Sequence, residues 1–421
     1  MALKDDFVPF EYSGASIVNY APIVFAGYGI TASEFQYDDY KDIDVKGKVV
    51  VIMRGEPQMD NEKSVFDGKK FTKYSRMQSK MKTAYANGAV GIIVLNAPST
   101  TLKIRPTGFP WPSLYPNIPA DALPLSRKNA SMPDIPVISA GERFAQIMFG
   151  SVDTLKAWQT KIDSLLIHQS RAIPDAEVLS LQTSIRTEKV QVRNVMGMIK
   201  GSEIPDEYVV IGAHYDHVGM SRPNDPTKDS IFNGADDNAS GTTGMLLSAE
   251  ALAHAPIKPK RSIVFVGFSG EEKGLLGSKA FVDNPPLPIA NCVAMLNMDM
   301  IGRSVNDTLY IGGNTRCKEF ADMNAEMNAT LFDDEAFTLS YSIEQYFFRS
   351  DQASFAMKRI PVLFYYTGEH QDYHKVSDEI EKLNMEHLVN IATLCSHTAW
   401  SAADRPMKFP FTPLPGDDLT D

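Results

Sequence analysis

Side-chain types that bind metal ions follow four apolar segments in the second half of this 421-residue chain. YVVIGAH ends in His214, SIVFVGFS is followed by the pair Glu271 and Glu272, CVAMLN leads to Asp299, and PVLFYYTG leads through a short segment to His374. Imidazoles and carboxylates without a thiolate suit zinc, or a neighbour such as cobalt or manganese. We therefore expect a metal site built from the ends of separate elements.

A fifth ligand type is Asp237, which precedes a helical pattern in FNGADDNASG. With it the set becomes two imidazoles and three carboxylates. One ion that stays open to substrate takes about three protein ligands, so five ligands predict two ions that share a carboxylate. Two ions about 3.5–4 Å apart can hold a hydroxide between them and polarise a carbonyl, as in aminopeptidases.

Each of these residues also has a purely structural explanation. A histidine at a strand end is usually a polar rim residue, the pair Glu271–Glu272 can form a solvated turn, and Asp237 can stabilise a helix N-terminus. Asp299 fits least well, because Met298 and Met300 flank it and a buried carboxylate needs a partner. The combination favours a metal site more than any single residue does.

Glu271 and Glu272 can divide two tasks between them. Successive side chains of an extended segment point in opposite directions, so one can bind metal while the other faces the water. A general base must reach that water without being neutralised by the metal. One of the two is therefore expected to bind metal and the other to act as the base.

The second half alternates near-continuous apolar strands with helical patterns. EYVVIGAH, RSIVFVGFS, NCVAMLNMD and IPVLFYYTG are typical of strands buried on both faces, and they predict an α/β sheet with helices on both sides. In such a sheet, ligands bind beyond the carboxyl ends of the strands, where the candidate residues lie.

The first half groups no catalytic side chains, and we expect a binding or lid domain. KGKVVVIMRG, GAVGIIVLNA and IPVISAGE predict strands, and the spacing of Met77, Met81 and Tyr85 predicts one helical stripe, with Gly88 ending the helix. The Pro- and Ser-rich stretch 98–135 predicts a long loop. We expect domains at 1–170 and 171–410, followed by a tail at 411–421.

Composition and net charge exclude some classes of binding partner and some kinds of site. The net charge of -11 argues against nucleic acid or an anionic membrane as the main partner. No segment approaches the ~18–20 apolar residues of a membrane span, and MALKDDFVPF lacks the apolar core of a secretory signal. The three cysteines are scattered and predict neither disulfides nor a thiolate site.

HYDHVG, GADDNASG, SGEEKGLLGS, NMDMIGR and YHKVSD, in this order over about residues 190–400, closely resemble the co-catalytic zinc aminopeptidase and glutamate-carboxypeptidase group of metallopeptidases. FAGYGITASEFQYDDYKDIDVKGKVVVIMRG and GAVGIIVLNA resemble the protease-associated domain often inserted in these enzymes. The resemblance implies a mixed, mainly parallel sheet flanked by helices, a smaller β-rich domain, peptide substrates and two zinc ions per chain. Relatives are mostly exported, so it also implies a periplasmic or secreted protein whose signal is absent from this chain, with the cytoplasm as the alternative. Relatives usually carry a catalytic-domain helix before the protease-associated block, whereas this chain opens in that block.

The resemblance also implies roles for individual residues. Asp237 would bridge the ions, His214 and Asp299 would complete one shell, and Glu272 and His374 the other. Glu271 would move a proton from the bridging water to the leaving amine. Asp216 would orient the His214 imidazole, Tyr373 would hydrogen-bond the oxyanion, and the peptide bond after Asp237 would be cis.

Aminopeptidase activity is the leading expectation, and several alternatives remain. Carboxypeptidases and dipeptidases share every ligand, and a substrate carboxylate would need an arginine such as Arg303 or Arg349. A receptor-like protein without metals and a single-zinc glutaminyl-cyclase-like acyltransferase share the fold. The oligomeric state is not predicted.

Three further interpretations concern residues near the motifs. His217 is interpreted as packing near His214, and Ser377 and Asp378 as caps of the segment DEIEKL. Four aromatic residues are candidates for an apolar side-chain pocket or the core: Phe347, Phe348, Tyr365 and Tyr366.

Overall fold

The structure, a computed structural model, describes residues 2–3, 5–10, 13–66, 68, 71–98, 104, 106, 132–184, 191–220, 229–304, 306–414 and 417. The described residues form two compact units, one up to residue 184 and the other from residue 191 onward. Most of the loop expected at 98–135 and most of the expected tail lie outside the described residues.

The first unit is built on a mixed sheet. Its described strands are β1 (Phe7–Pro9), β2 (Ile17–Phe25), β3 (Thr31–Ala32), β4 (Tyr37–Asp38), β5 (Val49–Met53), β6 (Gly91–Leu95), β7 (Val137–Ala140) and β8 (Arg171–Gln182). The larger sheet has the order β1-β7-β6-β5-β2-β8, and β3 pairs with β4. The described helices are α1 (Met77–Ala86), α2 (Glu142–Phe149) and α3 (Val152–Leu165). Strands and helices both contribute to this β-rich unit.

The boundary between the units differs from the one expected at residue 170. Strand β8 follows that position, yet it pairs antiparallel with β2 along most of its length. The strand therefore belongs to the first unit. Its sequence, RAIPDAEVLSLQ, contains no pattern that predicts which of the two sheets it joins.

The second unit contains a mixed, mainly parallel sheet, as expected. Its described strands are β9 (Val195–Ile199), β10 (Ile204–His214), β11 (Arg261–Phe268), β12 (Cys292–Met298), β13 (Thr308–Gly312), β14 (Thr338–Ser340) and β15 (Val362–Tyr366), in the order β14-β13-β15-β12-β10-β11-β9. Strands β10, β11, β12 and β15 pair parallel with their neighbours in this group. Strand β9 and the pair β13–β15 are antiparallel.

Helices cover both faces of this sheet. The described helices are α4 (Gly241–Ala253), α5 (Leu276–Asp283), α6 (Lys318–Phe332), α7 (Gln352–Met357) and α8 (Met385–Asp404). Alternate residues of β10 face opposite sides, because successive side chains of a strand do. Val209 packs in one core with residues of α4, α6 and α8, and Val210 packs in the other with residues of α5 and α7.

Strand register brings the carboxyl ends of the parallel strands to one edge. His214 of β10 is aligned with Phe268 of β11, and Gly212 is aligned with Asn297 of β12. Residues that follow β11 and β12 therefore emerge beside His214. Among the described helices, none is long and apolar enough to cross a membrane.

Candidate metal centre

Five elements deliver the expected metal ligands to this edge of the sheet. His214 ends β10, Glu272 lies in the turn after β11, Asp299 directly follows β12, and His374 lies in the segment after β15. Asp237 lies in the kinked turn that leads into α4, where the Asp237–Asn238 peptide bond is cis, as expected. All five lie within the second unit.

Three of these residues form a first group. His214, Asp237 and Asp299 each offer one atom, and these atoms lie within 4.8 Å of one another. His214 Nε2 is 3.4 Å from Asp237 Oδ1 and 3.4 Å from Asp299 Oδ1. Two atoms bound to one tetrahedral zinc ion at about 2.1 Å each are about 3.4 Å apart. The spacing of this group therefore fits the edges of a zinc tetrahedron.

The second group shares Asp237 with the first. It contains Asp237, Glu272, His374 and also His217. His374 Nε2 is 3.1 Å from Asp237 Oδ2 and 3.1 Å from Glu272 Oε2. The two carboxylate oxygens of Asp237 thus face different groups, which is the geometry that a bridging carboxylate requires.

The ligand atoms lack hydrogen-bond partners although they are buried. Among the described side chains, this holds for both ring nitrogens of His217, His214 Nε2, Glu272 Oε1, Asp299 Oδ1 and His374 Nε2. A buried polar atom without a partner costs free energy, so native proteins rarely keep one. Two cations would satisfy these atoms, and the residues present therefore fit a pair of zinc ions.

His217 is closer to the centre than the sequence indicated. Its Nδ1 lies 2.8 Å from Glu272 Oε1, without hydrogen-bond geometry, and 3.9 Å from Asp237 Oδ2. Its ring meets that of His374 edge to face at 5.5 Å. The interpretation as packing near His214 is therefore wrong, and His217 is a further candidate ligand. The signal in the sequence was its spacing of three residues from His214 in HYDH.

Asp216 orients His214 through its backbone rather than its side chain. His214 Nδ1 is 3.0 Å from the carbonyl oxygen of Asp216 and can donate to it, which leaves Nε2 directed at the metal group. The Asp216 carboxylate is 3.9 Å from Nδ1 and instead accepts a hydrogen bond from the backbone N–H of Glu271. The carbonyl of Asp216, rather than its carboxylate, therefore orients the His214 ring. The carboxylate is already bonded to the turn that carries Glu271.

Glu271 lies beside the two groups but in neither. Its Oε2 is 4.0 Å from His214 Nε2, and its side chain is largely buried. Burial raises the pKa of Glu271 to about 10, and the charges of Asp299, Asp351 and Glu272 add to this effect. Nearby cations would favour the charged carboxylate of Glu271 and lower this pKa.

Carboxylates control the protonation of the imidazoles. Burial disfavours a charged His214, but Asp299, Asp237 and Glu271 outweigh it and raise its pKa well above the ordinary value. Burial likewise opposes a charged Asp237, yet the adjacent imidazoles of His214 and His374 hold its pKa below the usual range. A cluster that attracts protons this strongly also attracts metal cations.

The turn that carries Asp237 is held by a distant carboxylate. Asp378 Oδ2 accepts hydrogen bonds of 3.0 and 3.1 Å from the backbone N–H groups of Asp236 and Asp237. Asp236 is fully buried, accepts a hydrogen bond from the Gly302 N–H and lies 3.1 Å from His370 Nε2. Asp378 therefore supports the bridging ligand, and its interpretation as a helix cap is wrong.

The segment that carries His374 is held by Asp372. The Asp372 carboxylate accepts hydrogen bonds from Ser377 Oγ, Lys382 Nζ and Arg303 Nη2 at 2.7, 2.8 and 3.2 Å. Ser377 thus serves this buried carboxylate rather than a helix end. Arg303 is already paired here, which leaves Arg349 as the arginine at the substrate side.

A small pocket opens beside the metal groups. Asp237, Glu271 and Asp299 line it together with Tyr373, whose ring stacks on that of His374 at 4.0 Å. The remaining lining residues are Met300, Tyr346, Arg349, Ser350, Phe364 and Tyr366. Of the four aromatic candidates, Tyr366 lines this pocket, whereas Phe347 and Tyr365 are buried in the core and Phe348 packs near Arg316.

A larger groove of about 590 Å³ lies between α4 and α8. Its walls are mostly apolar, and His397 and Trp400 are among the residues that line it. No carboxylate is among these lining residues, so the groove lacks a metal-binding set. The chemistry belongs to the smaller pocket.

Comparison with known proteins agrees with this geometry. Residues 194–399 match peptidase family M28, and residues 17–147 match the PA domain. The second unit belongs to peptidase family M28, and the first unit carries a PA domain. The M28 match contains all the candidate ligands, and the described residues of the PA match lie in the first unit.

Curated relatives carry peptidase names. A probable zinc metalloprotease of Pyrenophora teres f. teres is 43% identical over 115 residues, which are 27% of this chain and 24% of the relative. The chain thus spans about a quarter of that relative's length in this match. A probable zinc metalloprotease of Pyrenophora tritici-repentis is 25% identical over 357 residues, covering 70% of this chain and 73% of the relative. The probable glutamate carboxypeptidase VP8 of Zea mays is 27% identical, covering 55% of this chain and 30% of the relative.

A solved structure shares the fold. An aminopeptidase from Aneurinibacillus sp. strain AM-1 superposes with a TM-score of 0.50 at 20% identity, covering 97% of this chain and 80% of that chain. At this level of identity the likeness shows a shared fold alone.

Proposed function

We propose that this M28 family member is a zinc-dependent exopeptidase, and specifically an aminopeptidase that removes N-terminal residues from peptides. The observation that carries the proposal is the position of Asp237. One of its oxygens faces His214 and the other faces His374, so two imidazole–carboxylate groups share a single carboxylate. Peptidase names among the curated relatives support the hydrolytic half of the proposal.

Two zinc ions at this centre would polarise the scissile carbonyl and lower the pKa of the attacking water. Glu271 takes a proton from that water and delivers it to the leaving amine, because it lies beside both groups without belonging to either. Tyr373 lines the same pocket and is placed to donate its hydroxyl hydrogen to the oxyanion. The carbonyl of Asp216 holds the His214 ring in the tautomer that leaves Nε2 free to bind.

Two other functions are less well supported by the geometry. A single-zinc acyltransferase needs one ligand group, whereas this chain has two that share Asp237. A binding protein without metals would leave several buried polar atoms without partners, at a considerable cost in free energy.

The test combines metal analysis with a panel of blocked peptides. Zinc is counted per chain by mass spectrometry, and hydrolysis is followed for leucine p-nitroanilide, for free dipeptides, and for dipeptides that are N-acetylated or C-amidated. We expect about two zinc ions per chain and loss of cleavage on N-acetylation alone. Loss on amidation alone would indicate a carboxypeptidase, loss on either block a dipeptidase, and one zinc with cyclisation of N-terminal glutamine the acyltransferase.

Two expectations from the sequence stay predictions. A role of the first unit as a lid or binding domain is testable by comparing KM values for long and short peptides. Export is testable by locating the protein in fractionated cells.

A further inference from the structure

Arg349 brings a positive charge to the small pocket at the metal centre. It lines this pocket together with Asp237, Glu271 and Asp299. Its guanidinium carbon lies 5.1 Å from the centre of the Tyr346 ring, and its charge acts on the Tyr373 hydroxyl. The side chain is exposed, so a substrate in the pocket has access to it.

No carboxylate among the described residues forms an ion pair with Arg349. Arg303 is paired with Asp372 at 3.2 Å, and Arg316 is paired with Asp417 at 2.5 Å and with Glu344. Each of these two arginines thus has an acidic partner inside the protein. Arg349 keeps its donors available at the place where a substrate would bind.

The segment around Arg349 is well anchored. Its backbone N–H donates to the Tyr346 carbonyl at 2.9 Å, and the neighbouring Ser350 accepts a hydrogen bond from the Asn297 side chain of β12. Gln352 donates to the Phe347 carbonyl and accepts from the same asparagine. The backbone at Arg349 is therefore fixed relative to β12, the strand that precedes the candidate ligand Asp299.

We propose that Arg349 is a specificity residue that binds a carboxylate of the substrate within one residue of the scissile bond. This inference rests on the proposed exopeptidase function and names its substrate class. A guanidinium presents two parallel N–H donors that match the two oxygens of a carboxylate, and this match favours carboxylates over neutral groups. A substrate ammonium group, by contrast, is repelled from this side of the pocket.

The carboxylate has two chemical sources. It is either the side chain of an N-terminal aspartate or glutamate, or the α-carboxylate of the residue released from a dipeptide. Met300, Tyr346, Phe364 and Tyr366 give the pocket apolar walls that suit the methylene groups of a side chain. The same guanidinium serves either source, so substrate pairs must separate them.

The experiment compares isosteric substrates on the full-length zinc-loaded protein. Glutamyl and glutaminyl p-nitroanilides differ only in the side-chain charge, and alanyl-alanine and its amide differ in the α-carboxylate. In Arg349→Met we expect kcat/KM to fall by about 10- to 100-fold on the charged member of one pair, which corresponds to one or two charge-assisted hydrogen bonds. The neutral member should change by less than about threefold, and the loss should be mainly in KM.

Matched variants separate recognition from general damage. Arg349→Lys keeps the charge without the planar fork and should recover part of the loss. Arg359→Met removes an exposed arginine of the second unit that lies outside the pocket, and it should behave as the wild type. Loss on the glutamyl anilide assigns the side-chain carboxylate, and loss on the dipeptide assigns the α-carboxylate.

Other outcomes overturn the inference. If Arg349→Met lowers kcat/KM equally on charged and neutral substrates, or on none, Arg349 does not select carboxylates, while the exopeptidase function stands. If the zinc-loaded wild type cleaves none of these substrates, the proposed function fails and the inference fails with it.

Discussion

The carboxylate of Asp378 accepts a 3.1 Å hydrogen bond from the backbone N–H of Asp237, although 141 residues separate the two along the chain. The same oxygen accepts from the N–H of Asp236, so the turn that presents the bridging ligand is held at two points. We expect Asp378→Ala to weaken zinc binding by about 10- to 100-fold, because residues that support ligands typically contribute this much. Competition with a fluorescent chelator measures the change.

Glu381→Ala is the control for Asp378→Ala. Glu381 is an exposed acid three residues further along, so its removal changes the local charge equally without touching the turn. It should retain wild-type zinc affinity. An Asp378→Ala protein that binds zinc as tightly as this control would show that the turn keeps its shape without the carboxylate.

Glu271→Gln should separate catalysis from metal binding. The amide preserves the size of the side chain but cannot accept the proton of the attacking water, so kcat should fall by about 10²–10⁴-fold. Zinc content should stay unchanged, because Glu271 belongs to neither ligand group. Glu250→Gln, at an exposed position of α4, controls for the substitution itself. A variant that loses zinc together with activity would instead make Glu271 a ligand.

The raised pKa of Glu271 predicts that the stability of the metal-free protein depends on pH. Burial raises its folded-state pKa to about 10, above the ordinary value of 4.5 for an exposed glutamate. Its contribution to stability is therefore fully present below about pH 4.5 and is lost as the pH rises towards 10. In chelator-treated protein, Glu271→Gln should be more stable than the wild type, by a margin that grows between pH 5 and pH 9. Thermal melts at several pH values measure this margin, and a margin independent of pH contradicts the prediction.

His217 is the next residue whose role is testable. Its unpartnered ring nitrogens lie beside Glu272 and His374, so His217→Asn should weaken the binding of one zinc ion more than that of the other. Zinc stoichiometry after dialysis against a weak chelator gives the readout. His254→Asn, at an exposed position at the end of α4, is the control. Equal zinc retention in both variants would return His217 to a packing role.

The convergence of the ligands was predictable because it depends on a general property of sheets. His214 ends β10 and Asp299 directly follows the adjacent parallel strand β12, and the carboxyl ends of such strands lie at one edge. The hydrogen bonds that hold the candidate ligands in place were not predictable from the sequence in this way. The Asp378 carboxylate accepts from the Asp237 N–H although 141 residues separate them. The short polar segment that contains Asp378 also fits the sequence of a helix cap.

In the first unit, residue spacing did not predict which side chains of α1 are buried. Spacing on α1 groups Met77, Met81 and Tyr85 in one helical stripe, yet Tyr85 is 54% exposed whereas Lys80, outside the stripe, is 1% exposed. A lysine is counted as polar in any periodicity. Its burial depends on acceptors that belong to other segments, and the helix sequence does not show them.

Lys80 gives the last prediction, because its ammonium group connects three segments of the first unit. Its Nζ donates to the carbonyls of Tyr28, Met53 and Gly55 at 2.5, 3.0 and 2.5 Å. Burial lowers its pKa to about 7, an effect opposed by Asp39 and Glu56, so at pH 6 the group carries all three N–H donors. Lys80→Met keeps the apolar stem but leaves three buried acceptors without this donor. We expect a loss of about 2–5 kcal/mol in the free energy of unfolding of this unit, since each unsatisfied buried group costs about 1–3 kcal/mol.

Hydrogen exchange of the β5 and β6 amides in increasing urea at pH 6 reports on the first unit, which lacks the zinc ligands. Lys82→Met, an exposed position on the same helix, should shift exchange by less than about 0.5 kcal/mol. Zinc content and hydrolysis in Lys80→Met should stay near wild type in the absence of urea, because the zinc ligands all lie in the second unit. Equal protection of β5 and β6 in the two methionine variants would mean that water satisfies the three carbonyls as well as the ammonium group does.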